Sequence, residues 1–147
     1  MKRSTFMMGI LDIKTLVASQ MTENNIHTAT ENASWHECVR ITIDKEITSL
    51  PIVDEENNVA GLVTEYDFLR PMEETNNLDT LKAKDIVFKN CQMVTENSMA
   101  MEVLKVFIDN CVFKVFVVDE HKLKGVIVKH DVTLADLNST QEPFKGF

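Results

Sequence analysis

Two residues three apart, Thr64 and Asp67, set a hydroxyl and a carboxylate where the apolar run Gly61-Leu62-Val63 gives way to a helical pattern. If Val63 ends a strand and Glu65 begins a helix, Thr64 stands at the N-cap, where unpaired N–H groups and the helix dipole favour an anion such as phosphate. Asp67 then falls in the first helical turn, and a carboxylate can accept hydrogen bonds from both hydroxyls of a ribose-like diol. Gly61 has no side chain, so a flat group could approach the strand backbone there. The same residues also make a plain helix start, with Thr64 capping and Asp67 complementing the dipole, and no ligand at all.

A second copy of this pattern bears on that choice. Gly125-Val126-Ile127-Val128-Lys129-His130-Asp131 keeps the glycine and the aspartate but puts Val128 where Thr64 stood. An aspartate kept without its capping partner needs another reason, and the sequence offers ligand binding or dipole complementarity. The repeat extends backwards. Thr30-Glu31-Asn32 matches Thr95-Glu96-Asn97, Glu37 matches Glu102, Ile43-Asp44 matches Ile108-Asp109, and Val53-Asp54-Glu55 matches Val118-Asp119-Glu120, all at an offset of 65 residues. The glycines and aspartates differ by 64, so the second hairpin turn is one residue shorter, and turns are where an inherited repeat tolerates an indel.

Positioning these groups requires two rounds of one β-α-β-β-α unit. Ile13, Leu16, Val17 and Met21 predict a short amphipathic helix ending near Gln20, and Ile26-His27-Thr28-Ala29 a short strand. Ser34 followed by Glu37 is a capping-box pattern opening a helix with Trp35, Cys38, Val39, Thr42 and Ile43 on one face. Leu50-Pro51-Ile52-Val53 and Val59 to Val63 predict a hairpin about the polar turn 54–58, and a helix then runs from Thr64 to Arg70 with Pro71 following it. Met72 to Lys82 reads as a connector. The second round gives a short apolar segment at Ile86-Val87, a strand at Gln92-Met93-Val94, and a helix from Met99 to Asp109 with Val103, Leu104 and Phe107 inward. Strands at Val115–Val118 and Leu123–Val128 and a helix over Asp131–Leu137 complete it. The expected divisions are a lead-in over 1–12, units over 13–71 and 83–137, the connector 72–82 and a tail 138–147.

The 147 residues suffice for one core or two small half-domains. A net charge of −8 argues against a nucleic-acid partner, which needs clustered Lys and Arg. No apolar run approaches a membrane span and the start is too polar for a secretory signal, so the expected location is cytoplasmic. Cys38, Cys91 and Cys111 form no CxxC, fit a reducing compartment and read as buried small hydrophobes. The four histidines fall at no ligand spacing, so no metal is expected, and no nucleophile has a histidine partner fixed by motif, so neither is catalysis.

The chain resembles a tandem pair of CBS domains, the cystathionine β-synthase type module or Bateman module, over about Val17 to Leu137. The residues that carry the likeness are Met21-Thr22, Leu50-Pro51-Ile52-Val53-Asp54 and Gly61 to Arg70, in two ordered copies. The resemblance implies an α+β fold of two pseudo-symmetric β-α-β-β-α units packed as one regulatory module, with clefts for AMP, ADP, ATP or an adenosyl compound such as S-adenosylmethionine. It also implies a homodimer and a regulated protein partner in trans; a structural adaptor with empty clefts is the alternative. By the family pattern Thr64 lies near phosphate and Asp67 on ribose, with Asp131 as the counterpart, while Ile26, Thr28, Leu50 and Pro51 line the base. Tyr66 stands where the family often has a basic residue, Phe116 replaces the proline matched by Pro51, and Val128 removes a hydroxyl. One competent site per chain is therefore expected, built on Thr64 and Asp67. Lys122, Lys124, Lys129 and His130 could lend charge to a bound polyphosphate or simply form a solvated face.

Overall fold

The computed structural model describes residues 12–74, 77–89 and 91–139, so the expected lead-in up to Leu11 and the tail beyond 139 lie outside the described residues. Strand β1 (Ala29–Thr30), helix α1 (Trp35–Asp44), β2 (Ser49–Val53), β3 (Val59–Thr64) and α2 (Glu65–Glu74) form the first round. A short helix α3 (Ala83–Ile86) precedes the second: β4 (Gln92–Thr95), α4 (Ala100–Asn110), β5 (Lys114–Asp119), β6 (Lys122–Val128) and α5 (Lys129–Ser139). Each round makes a three-stranded sheet, β1-β2-β3 and β4-β5-β6. The first strand of each runs parallel to the second, Ala29 opposite Ile52 and Val94 opposite Val117, so the 65-residue repeat holds in the register as well.

The one-residue indel also has a structural site. In the first hairpin Asp54 Oδ1 accepts from the N–H groups of Glu56 and Asn58 at 2.8 and 2.9 Å, and the register slips between Ile52 and Val53. That bulge absorbs the extra residue. In the second, Glu120 and His121 both take positive φ, 52° and 72°, as a tight two-residue turn requires.

The chain divides into two compact units that do not follow the repeat boundaries. One gathers residues 12–24 with Gln92–Asp119 and 124–139; the other takes Asn25 to Cys91 and Glu120–Leu123. In the first unit Ala18 and Ser19 donate backbone N–H groups to Ser98 and Glu96 carbonyls, at 2.7 and 3.0 Å, and Ala100 donates to Leu16 at 2.8 Å. In the other, Ala83 and Lys84 donate to Ala33 and Glu31, at 2.9 and 3.0 Å, and Trp35 donates to Leu81 at 2.9 Å. Every partner in the second set is matched to one in the first at a distance of 65 residues. The segment ahead of each round thus covers the core of the other round.

Each unit has its own core. Leu16, Ala18 and Met21 join Val94, Val103, Phe107, Val115, Val117 and Ile127 in one, and Trp35, Cys38, Leu50, Ile52, Val63 and Phe68 join Ala83 and Ile86 in the other.

Several local expectations are corrected. Residues 13–20 form two three-residue 3-10 turns, not one amphipathic helix, because the backbone of Ala18 and Ser19 bonds across to the β4–α4 loop. Ile26 and Thr28 precede the strand, which is only Ala29–Thr30. Pro71 lies inside α2 and is buried, one lost backbone bond being set against apolar contact. Ile43 is exposed on α1. Of the cysteines only Cys38 is buried, its thiol pushed up to about 11 chiefly by burial; Cys111 is exposed, in left-handed backbone at the end of α4.

Candidate functional site

Strand β3 delivers Thr64 to the head of α2, and Asp67 closes the junction. Its Oδ2 accepts the Thr64 backbone N–H at 2.8 Å and the Thr64 hydroxyl at 2.9 Å. The carboxylate is therefore the cap: it reaches back from the third helical position to the donor ahead of the helix. Thr64 donates into it and is not the acceptor for a helix N–H, as the sequence had suggested. Both side chains are half-buried, and Asp67 Oδ1 has no hydrogen-bond partner among the described residues. One carboxylate oxygen thus holds the fold while the other keeps its accepting capacity.

The second junction repeats the capping without the hydroxyl. Val128 N–H donates to Asp131 Oδ2 at 2.8 Å, and Asp131, only 3% exposed, is engaged elsewhere too. Its retention needs no ligand, because the backbone N–H alone gives the carboxylate a structural task.

The space that a side chain at Gly61 would take is filled by the chain itself. A Cβ there would lie 2.4 Å from Val87 Cγ2 and 2.5 Å from the Phe88 carbonyl oxygen. Leu62 and Phe88 exchange backbone hydrogen bonds of 2.9 and 2.8 Å, so the missing side chain admits a segment of the chain itself onto the sheet edge. Gly125 repeats this: its Cβ would meet Thr22 Cγ2 at 2.2 Å and the Glu23 carbonyl at 2.8 Å, and Glu23 and Val126 are paired.

Leu50 and Pro51 are fully buried in β2, opposite Val63 and Leu62. Ser49 is opposite Thr64, so this pair stands beside the junction but keeps no side-chain surface. Thr28 immediately precedes β1, whose parallel register sets it at the end of the sheet where β2 begins and β3 ends. Thr28 and Ile26 are half-buried. Thr64, Asp67, Thr28 and Ile26 therefore keep surface, whereas Gly61, Leu50, Pro51 and Asp131 are enclosed.

Two features escaped the sequence reading. Arg70 lies one turn along α2 with its guanidinium 5.8 Å from the centroid of the exposed Tyr66 ring, a cation–π pair that the i, i+4 spacing could have signalled. At the opposite end of the sheet an open cavity of about 450 Å³ is lined by Thr30, Glu31, Asn32, Asp54, Glu55 and Glu56. Its four carboxylates repel a phosphate, and the backbone hydrogen bond from Asn58, chiefly, lowers the pKa of Asp54. That cavity is distinct from the Thr64 junction. No group of three or more potential metal ligands occurs among the described residues, nor does any helix there have the length and apolarity to cross a membrane.

Sequence and structure place the chain in a family. The CBS domain pattern matches residues 12–74 and again 83–138, so the chain belongs to the CBS domain family and carries a tandem pair. Uncharacterized protein MJ1225 of Methanocaldococcus jannaschii is 27% identical over 116 residues, 76% of this chain and 40% of that protein. A homoserine O-acetyltransferase of Methanococcus vannielii is 29% identical over 75 residues, 51% of this chain and 15% of that enzyme. The chain thus spans less than half the length of these relatives. Among solved structures, CBSX2 in complex with AMP superposes with a TM-score of 0.73 at 20% identity, covering 82% of this chain and 96% of that one. The CBS pair of MJ0100 with 5′-methylthioadenosine and S-adenosyl-L-methionine gives 0.73 at 22% identity, covering 86% and 99%. These likenesses establish the shared α+β fold.

Proposed function

We propose that the chain is a regulatory module that binds an adenine nucleotide or adenosyl compound at the Thr64–Asp67 junction and passes its binding state to a partner protein or through a homodimer, in the cytoplasm. The observation that carries this reading is the division of labour in Asp67: Oδ2 fixes the Thr64 N–H and hydroxyl, and Oδ1 remains to accept from a ribose hydroxyl. Solved CBS pairs that hold AMP, or methylthioadenosine with S-adenosylmethionine, support the ligand class. Signalling would follow linkage, since a ligand shifts a conformational equilibrium only by its differential affinity for the two states. The module itself does no catalysis.

Thermal shifts with AMP, ADP, ATP, S-adenosylmethionine and NADH test this. One of them is expected to stabilise the protein, by about 2.7 kcal/mol at a hundredfold excess over Kd. A specific observation favours the second reading, a structural adaptor with empty clefts: Gly61 and Asp131 are already accounted for by packing and capping. Absence of a shift with all five compounds selects that reading.

A further inference from the structure

The single tryptophan of the chain is tied to two segments at once. Trp35 opens α1 and is only 7% exposed. Its backbone N–H donates to the Leu81 carbonyl at 2.9 Å, which fixes the connector on the head of α1. Its indole Nε1–H donates the other way, to the Phe68 carbonyl in the first turn of α2 at 3.3 Å, and the indole meets the Phe68 ring edge-on with centroids 6.2 Å apart. Phe68 directly follows Asp67, whose Oδ2 caps Thr64. This turn gains from an outside tie, since Pro71 has no N–H to give the Asp67 carbonyl. The second round keeps the backbone half of the arrangement and drops the side-chain half. Ala100 N–H donates to Leu16 at 2.8 Å, as Trp35 does to Leu81, but the alanine side chain carries no donor. Val132 and Ala135 stand where Phe68 and Pro71 do in the first round. The side-chain link therefore exists in the round whose aspartate is half-buried, and not in the round whose aspartate is enclosed.

We infer that Trp35 couples the Thr64–Asp67 junction to the connector. A group bound at Asp67 steadies the first turn of α2, the Phe68 carbonyl then holds the indole, and the tryptophan holds residues 78–84 on α1. This rests on the ligand reading of the junction and gives that reading its output. Trp35 acts through the α2 turn and is a positioning residue. Coupling of this kind is reciprocal, so whatever draws the connector off α1 lowers affinity at the junction by the same factor. The connector is suited to be the responding part. Apart from backbone bonds, it meets α1 through His36 and Asp79, 3.5 Å apart with side chains 49% and 85% exposed, a contact that contributes little. Segments held by so few buried contacts open at the low end of a protein's range of local stabilities.

Hydrogen exchange followed by NMR on the full chain tests this. The amides of Trp35, Ala83 and Lys84 read the connector, and those of Ala18, Ser19 and Ala100 are their matched controls in the other core. Whichever of AMP, ADP, ATP, S-adenosylmethionine and NADH raises Tm is expected to slow the first set about fivefold relative to the controls, the factor that one neutral hydrogen bond commands, and to move the one indole N–H resonance. Trp35→Phe keeps an aromatic ring without the donor; the same compound is expected still to bind it, but to leave the two sets within about twofold of each other. Asp67→Ala supplies an arm that needs no ligand. It is expected to speed exchange of the first set about fivefold over the controls when Trp35 is present, and not in the Trp35→Phe background. Binding that slows both sets alike, or a response that survives Trp35→Phe, overturns the coupling and leaves the ligand reading standing. If none of the five compounds binds, the ligand reading fails and the Asp67→Ala arm alone decides the coupling. Should far-UV circular dichroism show Trp35→Phe unfolded, the arms with Trp35 in place decide, and an unmoved indole resonance on binding overturns the inference.

Discussion

The two strand-to-helix junctions of this chain share a backbone and differ in what they leave available. At the first, Asp67 caps Thr64 with one oxygen and remains half-buried. At the second, Asp131 caps Val128 in the same way but is buried and engaged further. A residue type kept across a repeat can therefore be kept for the fold in both copies and be free for chemistry in only one. The difference is carried by exposure and by one hydroxyl.

The glycines give the largest expected effect. A Cβ at either position meets a side-chain methyl first, but Gly61→Ala also brings it to 2.5 Å from the Phe88 carbonyl oxygen, whereas at position 125 the Glu23 carbonyl oxygen is farther off at 2.8 Å. Overpacking of this kind costs about 1–3 kcal/mol, and Gly61→Ala is expected at the upper end with Gly125→Ala below it. Urea denaturation of the two variants checks the order; equal losses would mean that both edges repack equally well.

Next come the aspartates. Asp131→Ala strands the partly buried Val128 N–H and is expected to cost about 1–3 kcal/mol of stability with little change in ligand affinity. Asp67→Ala is expected to do the reverse: a smaller stability loss of about 1 kcal/mol, as for a partly solvated cap, and a tenfold or greater weakening of nucleotide binding. Calorimetry on both variants separates the roles, and an equal loss of affinity from each would show that the second junction also binds.

How much of this was legible in the sequence depends on the range of the interaction. The helix start at Ser34, where the Glu37 N–H donates to the hydroxyl at 3.0 Å, the hairpins and the one-residue indel are local and were readable from residue type and spacing. The role of Gly61 was not, because the segment that fills its notch lies about 26 residues further along the chain and carries no motif. Nor was the exchange of segments ahead of each round. Leu16 and Ala18 read as the first turn of the nearest unit, yet their partners Ala100 and Ser98 belong to the other copy. Pro71 was misplaced because propensity stops a helix at proline, while burial against the core carries this one through. At the site, the pairing of Thr64 with Asp67 was readable, but its direction, with the carboxylate as cap, required the geometry.

Thr64→Val turns the first junction into the second with a change of one group, and Val128→Thr does the reverse. The Thr64 hydroxyl makes one half-buried hydrogen bond, so its loss is expected to cost at most about 1 kcal/mol of stability. Affinity for a phosphorylated ligand is expected to fall about tenfold, and Val128→Thr is not expected to restore it, since Asp131 stays enclosed.

A further effect concerns pH and separates the strand ends beside the two junctions. Lys114 begins β5 where Ser49 begins β2, and burial lowers its amine from the ordinary 10.5 to about 8. Below pH 8 the lysine is charged in both states and the fold carries the full desolvation cost. Between pH 8 and 10.5 the unfolded chain binds more protons than the native one, so this group's contribution to stability rises with pH. Lys114→Met is expected to raise Tm at pH 7 and to abolish that rise, whereas Ser49→Ala leaves the rise in place because Lys114 is untouched. Melting curves at pH 7, 8.5 and 10 check this. A Lys114→Met protein that melts below wild type at pH 7 would mean that the amine's polar contacts outweigh its burial, and that the charge beside the second junction stabilises the fold.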